Sequence, residues 1–169
     1  YPGPTSSSPH ELIECQGKLI FSADDGIHGD ELWISDGTDA GTVLLKDMFP
    51  GTSSNGGLIS NCFNWNGVVY FQGQDQTNNR EVWRTDGTTA GTYMLKDINT
   101  LNSYPTGFTP FNGALYFQAN GPASGTGELW KTDGTAGGTV LVKRLTNSST
   151  SIADLIVVGS MLYFTGEEI

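Results

Sequence analysis

The stretch "ELWKTDGTAGGTVLVK", residues 128–143, recurs as "ELWISDGTDAGTVLLK" at 31–46 and as "EVWRTDGTTAGTYMLK" at 81–96. None of the three holds a residue set that could run a reaction, so the repetition speaks first of architecture. Self-similarity at a fixed period marks repeat folds, in which one small unit cannot cover its own apolar faces and stacks on its siblings.

A second phrase precedes each copy: "QGKLIF" (16–21), "NGVVYF" (66–71), "NGALYF" (112–117) and, once more, "GSMLYF" (159–164). Their terminal phenylalanines, Phe21, Phe71, Phe117 and Phe164, fall 50, 46 and 47 residues apart. A weaker third phrase comes before these: "ELIEC" (11–15), "NCFNW" (61–65), "GFTPF" (107–111) and "ADLIVV" (153–158). Short β-branched and aromatic runs bounded by Gly, Asn and Asp predict strands. Asn-Gly at 66–67 and 112–113 is a hairpin turn signal. In Asp-Gly-Thr-x-x-Gly-Thr, the carboxylate can close an Asx-turn while Gly supplies positive φ. Each copy thus reads as about four antiparallel strands.

Within "ELW" the Leu points to one face and the Glu and Trp to the other. Apolar side chains on both faces mean that each sheet is sandwiched between neighbours. The expected fold is all-β: a β-propeller-like array of four-stranded antiparallel blades, about 3.5 repeats of about 47 residues, with a β-solenoid as the alternative. Residues 1–10 read as a linker or processed N-terminus, and 11–169 as one repeat domain with blades near 11–60, 61–106 and 107–152 and a partial one at 153–169. Four LYF phrases against three ELW phrases leave the count open. The expectation is a fragment of a longer repeat protein or a last sheet completed by a partner, with a four-bladed ring carrying one thin blade as the alternative.

The run "ADDGIHGDELWISDGTDAGT" (23–42) resembles the ELWxxDGT-type repeats of large secreted bacterial proteins. Its Gly, Glu-Leu-Trp, Asp-Gly-Thr and Gly-Thr positions recur in order three times. The resemblance implies propeller architecture and an extracellular, adhesive or surface-associated setting. It carries no catalytic residues to transfer.

Bulk properties narrow the function. The net charge is −10, with 15% charged residues and 23 glycines. That balance argues against a phosphate-backbone partner, which needs clustered Lys and Arg. No run approaches the ~18 apolar residues of a membrane helix. Cys15 and Cys62 permit one disulfide, the preferred reading, since both precede matching strands of successive copies; two free thiols are the alternative.

Trp33, Trp83 and Trp130 are candidates for stacking on sugar rings, although packing between blades is the preferred reading. Asp36, Asp86 and Asp133 are candidate Ca²⁺ ligands, yet one carboxylate per loop is thin for an ion that takes six to eight oxygens, so turn geometry is preferred. One denser group, Asp24, Asp25, His28, Asp30 and Glu31 in "ADDGIHGDE", could hold Ca²⁺ or, through the His, a transition metal; a solvated acidic loop is the simpler account. No other cofactor is implied. With His10 and His28 the only imidazoles and no Gly-x-Ser-x-Gly phrase, catalysis is not expected. The expected function is a non-catalytic extracellular interaction or structural module, binding further copies or repeats of its own kind or a surface glycan. A lectin with repeated Trp/Asp sites is the alternative.

Overall fold

The computed structural model describes residues 6–51, 59–77, 79–122, 127–144 and 152–166; the first half of the proposed N-terminal linker and the last residues of the partial repeat lie outside these. The described residues contain fourteen strands and no helix. Strands β1 (His10–Cys15), β2 (Lys18–Asp24), β3 (Asp30–Ser35) and β4 (Val43–Lys46) pair antiparallel in chain order. So do β5 (Ser60–Trp65), β6 (Val68–Gly73), β7 (Glu81–Thr85) and β8 (Tyr93–Lys96). A third sheet comprises β9 (Thr106–Phe111), β10 (Ala114–Asn120), β11 (Gly127–Thr132) and β12 (Val140–Lys143), and β13 (Ala153–Val158) with β14 (Met161–Thr165) forms a lone hairpin.

Local chemistry explains the sheets. At the first hairpin of each four-stranded sheet, Gln16-Gly17, Asn66-Gly67 and Asn112-Gly113 have positive φ at both central residues. That is the type I′ turn, whose twist matches the strands it joins. A bulge interrupts the first strand pair of every sheet. Its left-handed residue is Glu11, Asn61, Gly107 or Asp154 at equivalent positions, and the bulge bends the strand locally.

The pleat gives each sheet two faces, here named forward and rear. The first sheet's forward face carries Ile20, Leu32 and Ile34, which pack with Val69, Phe71 and Trp83 on the rear face of the second. The second sheet's forward Tyr70, Val82 and Leu95 pack in turn with Leu115, Phe117 and Trp130 on the rear of the third. Leu129 and Tyr116 then meet Ile152 and Leu155 beside the final hairpin. Burying a side chain such as Phe71 or Phe117 contributes about 1.5–3 kcal/mol. The first strands of successive sheets lie side by side, β1 with β5, β5 with β9 and β9 with β13, so the stack turns about a common inner side.

The proposed disulfide is not formed: Cys15 and Cys62 are free thiols. Both belong to the first core, but they do not occupy equivalent positions. Cys15 ends β1 opposite Lys18, whereas the residue that ends β5 in the same way is Trp65 opposite Val68. Cys62 lies three residues earlier on β5, where the Glu11 carboxylate near the start of β1 is beside its thiol. The Cys15 thiol donates instead to the Gly67 carbonyl, 3.4 Å away.

Candidate functional site

The Asp-Gly-Thr loops use their carboxylates internally. Asp36 Oδ1 accepts the Thr38 N–H at 3.0 Å and the Thr38 hydroxyl at 2.7 Å. The same pair recurs from Asp86 to Thr88 and from Asp133 to Thr135. Each Thr hydroxyl then accepts the N–H of Gly41, Gly91 or Gly138. A Cβ at any of those glycines would collide with the Asp carboxylate. The Thr hydroxyl and N–H bonds also hold all three aspartates below the usual carboxylate range. One carboxylate thus closes one turn, and the phrase is spelled three times because the same close approach is built three times.

The three repeated tryptophans have different surroundings. Each stands opposite the LYF phenylalanine, as Phe21 to Trp33, Phe71 to Trp83 and Phe117 to Trp130. Trp83 and Trp130 are buried between sheets, and their indole N–H groups have no hydrogen-bond partner among the described residues. Trp33 lies on the rear face of the first sheet and stays half-exposed, its Nε1 donating to the Ala23 carbonyl at 3.0 Å. A cavity of about 110 Å³ sits there, lined by Ser7, Phe21, Ala23, Asp24, Asp25, Trp33 and Thr42. A neighbouring cavity of about 190 Å³ is edged by His10, Asp24 and Asp30.

The acidic loop beside these cavities does not gather around a point. Asp25 takes the His28 ring at 2.7 Å and the N–H groups of Ile27 and His28. Burial pushes Asp25 upward, but those donors outweigh it and hold it low, while the Asp25 hydrogen bond raises His28. Asp24 accepts the Gly26 N–H, and Asp30 accepts the Ser22 hydroxyl and faces His10. Strand alternation sends Glu31 to the opposite face from Asp30. The five candidate ligands are therefore dispersed among internal partners. Among the described residues no three His, Cys, Asp or Glu side chains are grouped to hold an ion.

Glu31 has a different task, shared with Glu81 and Glu128, which reading the sequence did not foresee for the series. All three are fully buried. Glu31 accepts the N–H groups of Met48 and Phe49, at 2.7 and 2.9 Å, where the chain leaves the first sheet. Glu81 does the same for Ile98 at 2.9 Å. Burial pushes Glu31 and Glu81 up to about 7, against the pull of those N–H donors, with Asp47 and Asp97 adding to the rise. In the third sheet the residue matching Asp47 and Asp97 is Arg144, which forms an ion pair with Glu128. The only signal in the sequence was the invariance of Glu across its own three copies.

No family model matches the chain, and no curated protein matches it either. Among solved structures it is similar to puromycin hydrolase, a β-propeller enzyme, with a TM-score of 0.56 and 17% identity over 99% of this chain and 26% of that one. A mutant of that enzyme complexed with PGG gives a TM-score of 0.53 and 19% identity over 89% and 23%. The chain spans about a quarter of the length of these two structures. At such identity the likeness concerns the fold: antiparallel sheets of two to four strands arranged as in propeller domains.

Proposed function

We propose that this chain is a non-catalytic interaction or structural module of an extracellular or cell-surface protein, built of propeller repeats. The single observation supporting it is where the recurrent side chains are used. The Asp-Gly-Thr carboxylates close turns, Trp83 and Trp130 fill cores and the buried glutamates hold the exits of the sheets, while the two end faces of the stack are apolar and uncovered among the described residues. The lateral run of β1, β5, β9 and β13 favours a ring over a solenoid, since the first strand of every sheet is on the inner side. A screen of ester, amide and glycoside substrates is expected to yield no turnover. Interferometry against surface glycans, matrix proteins and the chain itself is expected to yield binding that Leu19→Glu or Tyr163→Glu removes. Substrate turnover, or binding indifferent to both substitutions, overturns the reading.

A lectin-type reading is favoured by one feature, the half-exposed Trp33 beside a cavity edged by Asp24 and Asp25. An indole face next to carboxylates suits an apolar sugar face flanked by hydroxyls. On a glycan array, loss of binding in a folded Trp33→Ala variant, with Asp133→Asn unaffected, supports that reading. Binding that survives Trp33→Ala rejects it.

A further inference from the structure

Each junction between successive sheets joins the same two surfaces, the forward face of one to the rear face of the next. Among the described residues, two such surfaces lack a mate. On the rear face of the first sheet, Leu19 is 37% exposed, whereas its counterparts Val69 and Leu115 are 1% and 0% exposed. Phe21 and Trp33 beside it are half-buried, while Phe71, Phe117, Trp83 and Trp130 are buried. On the forward face of the β13–β14 hairpin, Tyr163 is 51% exposed, whereas Tyr70 at the same position is 2% exposed. Ile156 opposite Tyr163, and Val158 opposite Met161, extend that face, and all are exposed. Exposure at both ends means that the two faces are not joined to each other among the described residues.

We propose that the forward face of the β13–β14 hairpin docks on the rear face of the first sheet of a second copy, so that copies add head to tail. The occupant is specified by the junctions already present. Tyr70 packs in a core with Phe117 and Trp130, and Tyr163 reaching Phe21 and Trp33 of another copy would restore that combination. Such an interface is heterologous: every copy keeps one free face of each kind, and growth ends only if the rotation closes a ring. The apolar contact must overcome repulsion between chains of net charge −10, so assembly strengthens with added salt. The inference rests on the interaction-module reading and names the partner.

Sedimentation of the chain into the hundreds of micromolar, at low and high salt, tests it. The expected result is mass above the monomer that rises with concentration and with salt. Tyr163→Glu blocks the forward face and Leu19→Glu the rear face, so either variant alone stays monomeric. An equal mixture yields a one-to-one dimer that grows no further, because each variant keeps one good face. Iodide quenching of the unaltered chain gives a readout independent of either variant, since docking shields Trp33 as concentration rises. A chain monomeric throughout with unchanged quenching, variants that still assemble, or a mixture that forms no dimer overturns the proposal. A monomer that binds an immobilised glycan or protein refutes self-docking alone; turnover of a substrate refutes the module reading itself.

Discussion

Phe71 and Trp83 stand opposite each other on β6 and β7 and stack, with ring centroids 6.5 Å apart and planes inclined by 27°. The first sheet sits behind them and covers both rings. Phe21 and Trp33 have the same register in that first sheet but, among the described residues, no sheet behind them. Identical local chemistry thus has two energetic values. Trp83→Ala is expected to cost about 3–5 kcal/mol, the range for emptying an aromatic core site. Trp33→Ala, at a half-exposed position, is expected to cost about 1 kcal/mol. Urea unfolding of the two variants checks the contrast, and equal losses would contradict the burial difference.

Glu31 and Glu81 give stability a particular pH dependence. Their pKa values lie near 7 in the folded chain, raised from the ordinary glutamate value. The folded state therefore binds these protons more tightly than the unfolded state. Their contribution is fully present below about pH 4.5 and is lost as pH rises through 7, by on the order of 2–3 kcal/mol each. The depressed Asp36, Asp86 and Asp133 work in the opposite sense, losing their contribution as pH falls below about 3.8. Denaturant midpoints should decline from pH 4.5 to pH 8, and Glu31→Gln or Glu81→Gln should flatten the decline. A midpoint independent of pH in that window would show that the buried carboxylates do not titrate there.

The glycines of the Asp-Gly-Thr-x-x-Gly-Thr loops are not interchangeable. A Cβ at Gly91 meets the Asp86 carboxylate, so Gly91→Ala is expected to cost about 1–3 kcal/mol through displacement of a hydrogen-bonded side chain. Gly137, one residue before the matching Gly138, has open space around its Cβ position and occupies the place held by Ala40 and Ala90. Gly137→Ala is expected to stabilise by about 0.4–1 kcal/mol by restricting the unfolded chain. Thermal melts of the two variants should move in opposite directions.

The thiols should be free but slow to react. Burial pushes Cys62 up to about 12, helped by the Glu11 carboxylate, and burial also raises Cys15. Since the thiolate is the reacting form, alkylation at pH 8 is expected to be slow in the native chain and to reach two equivalents on unfolding. Intact mass that shows a missing pair of hydrogens would instead reveal a disulfide and a different fit of β1 against β5.

Much of this fold could be read along the chain because its causes are local. Asn66-Gly67 and Asn112-Gly113 dictate their turns by positive φ, Asp86-Gly87-Thr88 closes on itself within a few residues, and the alternation in "VVYF" assigns faces. The period near 47 then requires stacked sheets, since each sheet is apolar on both sides. The offset of Cys15 from Cys62 was legible too, since "ELIEC" and "NCFNW" set Cys15 against Trp65. The separation of Trp33 from Trp83 and Trp130 and the destination of the Glu31 carboxylate were not legible in this way. They depend on which sheet lies behind and where the exit segment folds back. Those are relations between residues far apart in sequence. The repeat determined the unit and its two sticky faces, while only tertiary packing decided which faces were covered, because burial belongs to neighbours in space rather than to neighbours along the chain.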